Sequence, residues 1–196
     1  MTRKAVFLDR DGTINVDVGY PRRWDQVQIY PYAFDAVRKL REAGFLIVVV
    51  TNQSGVGRGF LTEADLAEIH GRMAAEFARR GAPLDAFYHC PHYAASEIAE
   101  YGIDCSCRKP EPGMGLRAAA DLSLDLGRSY MVGDKAEDVL FGTNLGATPI
   151  LVRTGYGPSV ESRLAELGAA PAFVADDLAA AAEWILAREA RLLQPA

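Results

Sequence analysis

The segment Ala5-Val6-Phe7-Leu8-Asp9-Arg10-Asp11-Gly12-Thr13 is a short apolar run stopped by three charges and a glycine. It reads as a buried strand that ends in a polar turn. The same grammar recurs downstream. Phe45-Leu46-Ile47-Val48-Val49-Val50 is apolar throughout, as a strand covered on both faces must be, and it gives way to Thr51-Asn52. Ala86–His89, Tyr130–Val132 and Pro149–Val152 read as further strands, with Ala172–Val174 as an edge. Helical patterns lie between them. Pro31 precedes Ala33, Val37 and Leu40, and Gly44 stops that helix. Thr62-Glu63-Ala64-Asp65 caps a helix that carries Leu66, Ile69, Met73 and Phe77 inward as far as Gly81. Helices are also predicted from about Met114 to Leu122 and from about Ala136 to Leu145. Asp176-Asp177 opens a last one bearing Leu178, Ala181, Ile185 and Leu192. Strands alternating with helices imply an α/β parallel sheet covered on both faces. Sites in such sheets lie beyond the carboxyl ends of the strands, which selects Asp9, Asp11, Thr51, Asn52, Gly133 and Asp134.

The chain has 196 residues, 49% hydrophobic and 24% charged, values of an ordinary globular protein. One domain over residues 1–196 is expected, large enough to bury about 70% of its unfolded surface without staples. A net charge of −5 argues against nucleic acid as the main partner. The longest apolar run, Phe45–Val50, is far short of a membrane span, and the N-terminus shows no signal-peptide core. A cytoplasmic protein is expected. Nothing in the sequence specifies the oligomeric state, and a monomer is among the states it allows.

Asp9 and Asp11 are two positions apart and share a face, so both can point into one space. Paired acids divide the work of nucleophile and proton donor when their environments separate their pKa values. The plainer alternative is a turn in which aspartate caps backbone amides. A calcium loop fails, because Ile14 and Tyr20 stand where glycine and glutamate are required. Thr51-Asn52-Gln53-Ser54-Gly55 offers hydroxyls and amides suited to phosphate. Two glycine-rich stretches resemble dinucleotide loops only superficially. Gly55–Gly59 has the wrong spacing, and Gly113–Ala118 follows no strand, so both read as turn or helix-start glycines. Arg108-Lys109-Pro110 sets cations before a helix, where anions bind, although such a pair is more often a solvated surface feature. Asp134 ends a strand, and Glu137 and Asp138 occupy the first turn of the next helix. With Asp9 and Asp11, Asp134 supplies the oxygen ligands that Mg²⁺ prefers.

All three cysteines fall in one pattern: Cys90-Pro91-His92, twelve residues, then Cys105-Ser106-Cys107. Three thiolates and an imidazole complete a closed tetrahedral shell for a structural Zn²⁺. A disulfide is the alternative, and it is out of place in the cytosol. His89 could replace His92, but it directly neighbours Cys90 and reads as the end of a strand. His70 sits in a helix with no metal partner and is expected to have no part in the chemistry.

Asp9-x-Asp11-Gly12-Thr13, Thr51, Lys109 and Gly133-Asp134-x-x-x-Asp138 together resemble the haloacid dehalogenase-like phosphatases. The chain is most similar to their zinc-containing D-glycero-D-manno-heptose 1,7-bisphosphate 7-phosphatase branch. Asp17-Val18-Gly19-Tyr20, Thr51–Gly55, Cys105–Pro110 and Tyr130–Asp138 carry that likeness, which runs from about Lys4 to Gly155. The resemblance implies a Rossmann-like sheet and a phosphomonoesterase of carbohydrate metabolism acting on a small sugar bisphosphate. Asp9 would be the nucleophile that becomes an aspartyl-phosphate, and Asp11 the general acid and base. Thr51 and Lys109 would hold the phosphoryl oxygens. Mg²⁺ would rest on the carboxylates of Asp9 and Asp134 and the backbone carbonyl of Asp11, with Asp138 in support. Asp17, Val18, Gly19, Tyr20, Asn52, Gln53, Ser54, Arg108 and Lys135 would contact the sugar phosphate. Zn²⁺ on Cys90, His92, Cys105 and Cys107 would fix the loop from about 90 to 107.

Relatives of this kind often carry a lid domain. Only 39 residues separate Asp11 from Thr51, and the third-strand region holds just the short Cys/His loop, so a capless enzyme is expected. Histidinol-phosphate phosphatases share the nucleophile blocks and a similar zinc loop, and they are the nearest alternative. A zinc-bearing binding module without catalysis is the non-enzyme alternative, opposed by the intact Asp9, Asp11, Lys109 and Asp134.

Overall fold

The computed structural model describes residues 2–192; Met1 and residues 193–196 of the expected domain lie outside the described residues. Six parallel strands form one sheet: β1 (Ala5–Leu8), β2 (Leu46–Asn52), β3 (Ala86–Cys90), β4 (Tyr130–Gly133), β5 (Thr148–Val152) and β6 (Phe173–Ala175). Their spatial order is β3-β2-β1-β4-β5-β6. The order reverses between β1 and β4, and there the carboxyl ends open a crevice. β2 and β3 run slightly further than the apolar pattern suggested. Thr51 and Asn52 pair with His89 and Cys90 as the last rungs of the ladder, so the sheet itself carries phosphate-site candidates.

Alternation along the strands divides the core. Val6, Leu8, Ile47, Val49, Val132 and Ile150 face one side and pack against α1 (Ala33–Glu42), α3 (Glu63–Arg79) and α7 (Leu178–Leu192). Ala5, Phe7, Val48, Val50 and Met131 face the other, under α4 (Gly113–Leu122) and α5 (Ala136–Leu145). Truncating Phe7, which is fully buried edge-on to Phe141, would cost about 3–5 kcal/mol.

The capping signals act as read. The Thr62 hydroxyl accepts from the Asp65 amide at 3.1 Å, and the Asp65 carboxylate accepts from the Thr62 amide at 2.8 Å. At α7, Asp177 Oδ1 accepts from the Ala180 amide at 2.9 Å. Two short helices carried no periodic signal: α2 (Ser54–Gly57) and α6 (Gly157–Glu161). Neither is long enough for an amphipathic repeat. No helix among the described residues is long and apolar enough to cross a membrane.

Candidate active site

Asp9 follows β1 and Asp134 follows β4, so the two acids sit side by side at the crevice. Asp138, in the first turn of α5, completes a group of carboxylates whose oxygens lie within 4.8 Å of one another. All three are buried. Lys109 reaches in from the segment before α4. Its ammonium donates to Asp9 Oδ1 at 2.8 Å, Asp138 Oδ1 at 2.6 Å and the Val50 carbonyl at 2.9 Å, which uses all three of its protons. Burial alone would lower the Lys109 pKa, but the charges of Asp138 and Asp9 override it and raise the value.

Lys109 pairs with two of the three carboxylates, and Asp134 feels the charge of Lys135 without an ion pair to either lysine among the described residues. Burial, then the charges of Asp9 and Asp138, push Asp134 up to about 8. Burial also lifts Asp138 to about 6, against the pull of Lys109. Asp134 Oδ2 accepts from the Tyr156 amide at 2.8 Å, while its buried Oδ1 finds no partner among the described residues. An oxygen-only donor set with excess negative charge and an orphaned carboxylate oxygen fits a hard divalent cation such as Mg²⁺.

Two glycines make this packing possible. Gly12 (φ +86°) and Gly155 (φ +54°) both press on Asp134, and a Cβ at either would overlap its carboxylate. Gly12 follows the Asp-x-Asp run, whereas Gly155 comes from the loop after β5. Thr154 locks that loop by donating from its hydroxyl to the Gly12 carbonyl at 2.5 Å.

Asp11 faces different company. Its carboxylate accepts from the Arg10 guanidinium at 2.7 Å, Asn15 Nδ2 at 2.9 Å and Gln53 Nε2 at 2.9 Å. Burial would raise its pKa, but the Arg10 charge and these donors hold it below the usual carboxylate range. Among the expected magnesium ligands, then, the carboxylates of Asp9 and Asp134 meet in one cluster with Asp138. The Asp11 carboxylate is turned to Arg10, Asn15 and Gln53, which leaves Asp11 its backbone carbonyl for the metal role. His70 also touches this group, with Nε2 lying 3.2 Å from Arg10 Nη1. Burial, then Arg10 and His89, push its pKa down to about 3, so the ring is neutral.

Asp9, Asp11, Thr51 and Lys109 line a cavity of about 240 Å³ whose walls include Asp17, Gly19, Tyr20, Ser54, Arg108 and Lys135. Asp17 Oδ2 lies 3.4 Å from Lys135 Nζ, and Lys135 stands 4.7 Å above the ring of Tyr156, a wall residue that the sequence did not single out. Val18, 42% exposed, is not among the lining residues. Asn52 and Gln53 line the cavity but spend their amides on the protein. Asn52 takes the Lys109 amide at 3.0 Å and donates to the Lys109 carbonyl at 3.1 Å, a two-point clamp on the lysine backbone. A second hollow of about 640 Å³ shares Asn52, Arg108 and Lys109 with the first and extends to Tyr93, Ile103 and Asp104.

The four ligand atoms of Cys90, His92, Cys105 and Cys107 also gather within 4.8 Å. The sulfurs of Cys90 and Cys105 are 3.6 Å apart and those of Cys105 and Cys107 3.2 Å, too far for a disulfide bond. His92 Nδ1 lies 3.2 Å from Cys107 Sγ, and His89 is directed away to Glu63 at 2.8 Å. Three thiols and one imidazole nitrogen at the corners of a small tetrad fit Zn²⁺. Arg108 follows directly and donates to the His92 carbonyl at 3.2 Å, which joins the tetrad to the cavity wall.

A HAD-hydrolase-like family model matches residues 106–181. The D-glycero-beta-D-manno-heptose-1,7-bisphosphate 7-phosphatase of Yersinia pestis is 45% identical, over 93% of this chain and 89% of that protein. The D-glycero-D-manno-heptose-1,7-bisphosphate 7-phosphatase of Thermosynechococcus vestitus is 43% identical, over 94% of this chain and 96% of its own. Among solved structures, the D,D-heptose 1,7-bisphosphate phosphatase of B. bronchiseptica, complexed with magnesium and phosphate, superposes with a TM-score of 0.82 at 35% identity, covering 94% of this chain and 99% of that one. With such identity over nearly the whole length, and with the carboxylate cluster and Cys/His tetrad in place, the chain belongs to the D-glycero-D-manno-heptose-1,7-bisphosphate 7-phosphatase family of HAD-like hydrolases.

Proposed function

We propose that the protein removes the 7-phosphate of D-glycero-D-manno-heptose 1,7-bisphosphate through an aspartyl-phosphate on Asp9. The observation that carries this reading is the meeting of Asp9, Asp11, Thr51 and Lys109 around one cavity at the switch point of the sheet. A carboxylate oxygen of Asp9 attacks phosphorus, and the bond from phosphorus to the sugar oxygen breaks. Asp11 gives that oxygen its proton. The resting donor cage favours the ionised Asp11 carboxylate, so the proton it passes on is taken up from water as the entering phosphate dianion adds negative charge beside it and raises its proton affinity. Asp11 then takes the proton of the water that attacks the aspartyl-phosphate, which frees phosphate and restores Asp9. Thr51 holds a phosphoryl oxygen, and Lys109 holds another by giving up one of its present acceptors as charge redistributes. Bound Mg²⁺, held by Asp9, Asp134 and the Asp11 carbonyl, supplies positive charge against the phosphoryl oxygens.

Asp17, Gly19, Tyr20, Ser54, Arg108 and Lys135 form the walls that receive the sugar, and the larger hollow beside Arg108 gives its second phosphate room. The chain works as a single capless domain, with Zn²⁺ as the structural clasp of the Cys/His loop. Cysteines gathered to bind zinc rather than paired as disulfides support a reducing, cytoplasmic setting.

The test is phosphate release from both anomers of the heptose bisphosphate and from histidinol phosphate, measured side by side with and without EDTA. The reading expects heptose bisphosphate to turn over best and EDTA to stop it reversibly, since Mg²⁺ is loosely held. Faster hydrolysis of histidinol phosphate would overturn the substrate assignment.

A further inference from the structure

Arg10 lies between the two acids in sequence, yet no step above uses it. Its side chain is wholly buried, and all three guanidinium nitrogens are engaged. Nε bridges both carboxylate oxygens of Asp11 at 3.2 and 3.1 Å. Nη2 donates to Asp11 Oδ2 at 2.7 Å and to Gln53 Oε1 at 3.0 Å. Nη1 lies 3.2 Å from His70 Nε2, which must accept because a guanidinium only donates.

The same donor-only character fixes the Gln53 amide. Its oxygen faces Arg10, and its nitrogen donates at 2.9 Å both to Asp11 Oδ2 and to Thr51 Oγ1. Thr51 accepts there, so its own proton is left for another acceptor. His70 is in turn stacked on Phe87 of β3, with ring centroids 4.8 Å apart and an angle of 24°. A buried ion pair contributes little net stability, so this investment of donors is better explained by position than by strength.

We infer that Arg10, braced by Gln53 and His70, is a positioning residue that aims the Asp11 carboxylate at the oxygen leaving with the sugar. This rests on the reading of Asp11 as the general acid. Bidentate contact sets both distance and plane, and Gln53 ties that plane to the Thr51 hydroxyl. Lysine at this position would keep the charge but lose the fork.

Leaving-group dependence tests it. The full-length Mg²⁺-loaded protein is followed in single turnovers with heptose bisphosphate, whose alkoxide needs a proton to leave, and with p-nitrophenyl phosphate, whose phenolate does not. Arg10→Lys should slow the sugar substrate about 100-fold and the aryl phosphate less than about 10-fold, with KM for the sugar little changed. Asp11→Asn should show the same bias more strongly. A merely structural role would slow both substrates alike or raise KM, and either result for Arg10→Lys overturns the inference. If Arg10→Lys does not fold, Gln53→Met decides by the same ratio, because it leaves every charge in place. If Asp11→Asn itself shows no leaving-group bias, the acid assignment falls instead, and the two failures are told apart.

Discussion

The two ends of the sheet handle charge in opposite ways. At the amino ends, Lys4 pairs with Glu189 at 2.7 Å, and that carboxylate also accepts from the Tyr130 hydroxyl at 2.8 Å. Nearby, Asp85 takes Arg41 together with the Ile47 amide. Each acid there has its own cation, a second donor and access to water. At the carboxyl ends, Asp9, Asp134 and Asp138 are buried side by side; Lys109 pairs with Asp9 and Asp138, while Asp134 rests on the Tyr156 amide. The first arrangement is settled as it stands, and the second is held under repulsion by the surrounding packing. Charges that would cost least in solvent are buried together where chemistry is expected, and the apolar sheet beneath absorbs the cost.

The harshest test of this contrast is Asp9→Asn, which replaces the proposed nucleophile with an amide. Turnover should fall at least about 10⁴-fold, and residual activity near the wild-type level would sink the covalent mechanism. Lys109→Ala comes next. Single-turnover rates should drop about 10³-fold, against about 10-fold for Asp17→Ala at the rim, because of the two it is Lys109 that touches Asp9; the reverse order would refute the assignment.

Asp134→Asn sharpens the comparison by separating stability from activity. In chelator-treated protein at pH 7 it should raise unfolding stability by about 2 kcal/mol, because the wild-type carboxyl, its pKa pushed up to about 8, must take up a proton to be buried beside Asp9 and Asp138, while abolishing Mg²⁺-dependent turnover. Denaturant titration showing a loss of stability would mean that the cluster is not repulsive. Cys105→Ser should release zinc and speed hydrogen exchange from Cys90 to Cys107, while amides of β1 and β4 stay protected. Elemental analysis that finds no zinc in wild-type protein purified without chelator would remove the metal from the tetrad.

The smallest effect belongs to the opposite end of the sheet. Lys4→Met should cost about 0.5 kcal/mol near neutrality. Burial opposes ionisation of Glu189, but Lys4 and Tyr130 win and hold its pKa below the usual glutamate value. A depressed carboxylate stabilises the fold above its unfolded pKa of about 4.3 and loses that contribution as pH falls through the folded value. The difference between wild type and Lys4→Met, read by urea unfolding, should therefore shrink from pH 5 towards pH 3, each taken as an approximate bound.

The apolar runs were enough to place the strands, because Val48 to Val50 is covered on both faces and can be nothing but interior. Asp9, Asp134 and the Cys/His tetrad were legible for a related reason: strand ends and ligand spacing are local features. Arg10 was not, since a charge between two aspartates reads as part of a turn until the fold shows it sealed beneath Gln53 and His70. Asn52 and Gln53 flank Thr51 and line the cavity, and only the tertiary arrangement shows their amides also engaged with Lys109, Arg10 and Asp11. The Gly155-Tyr156 contact with Asp134 joins segments 22 residues apart at its Tyr156 hydrogen bond, beyond the reach of any periodic pattern.

Gly155 has a consequence for how the chain tolerates change. It sits in a connecting loop, where random mutagenesis ordinarily finds freedom. Yet its missing side chain is the space that the Asp134 carboxylate fills. In a library randomised across residues 153–157 and selected for activity, variation should concentrate at the exposed Arg153, while position 155 returns glycine alone. Alanine there, the smallest enlargement that chemistry offers, would be read as an active-site mutation made from outside the active site.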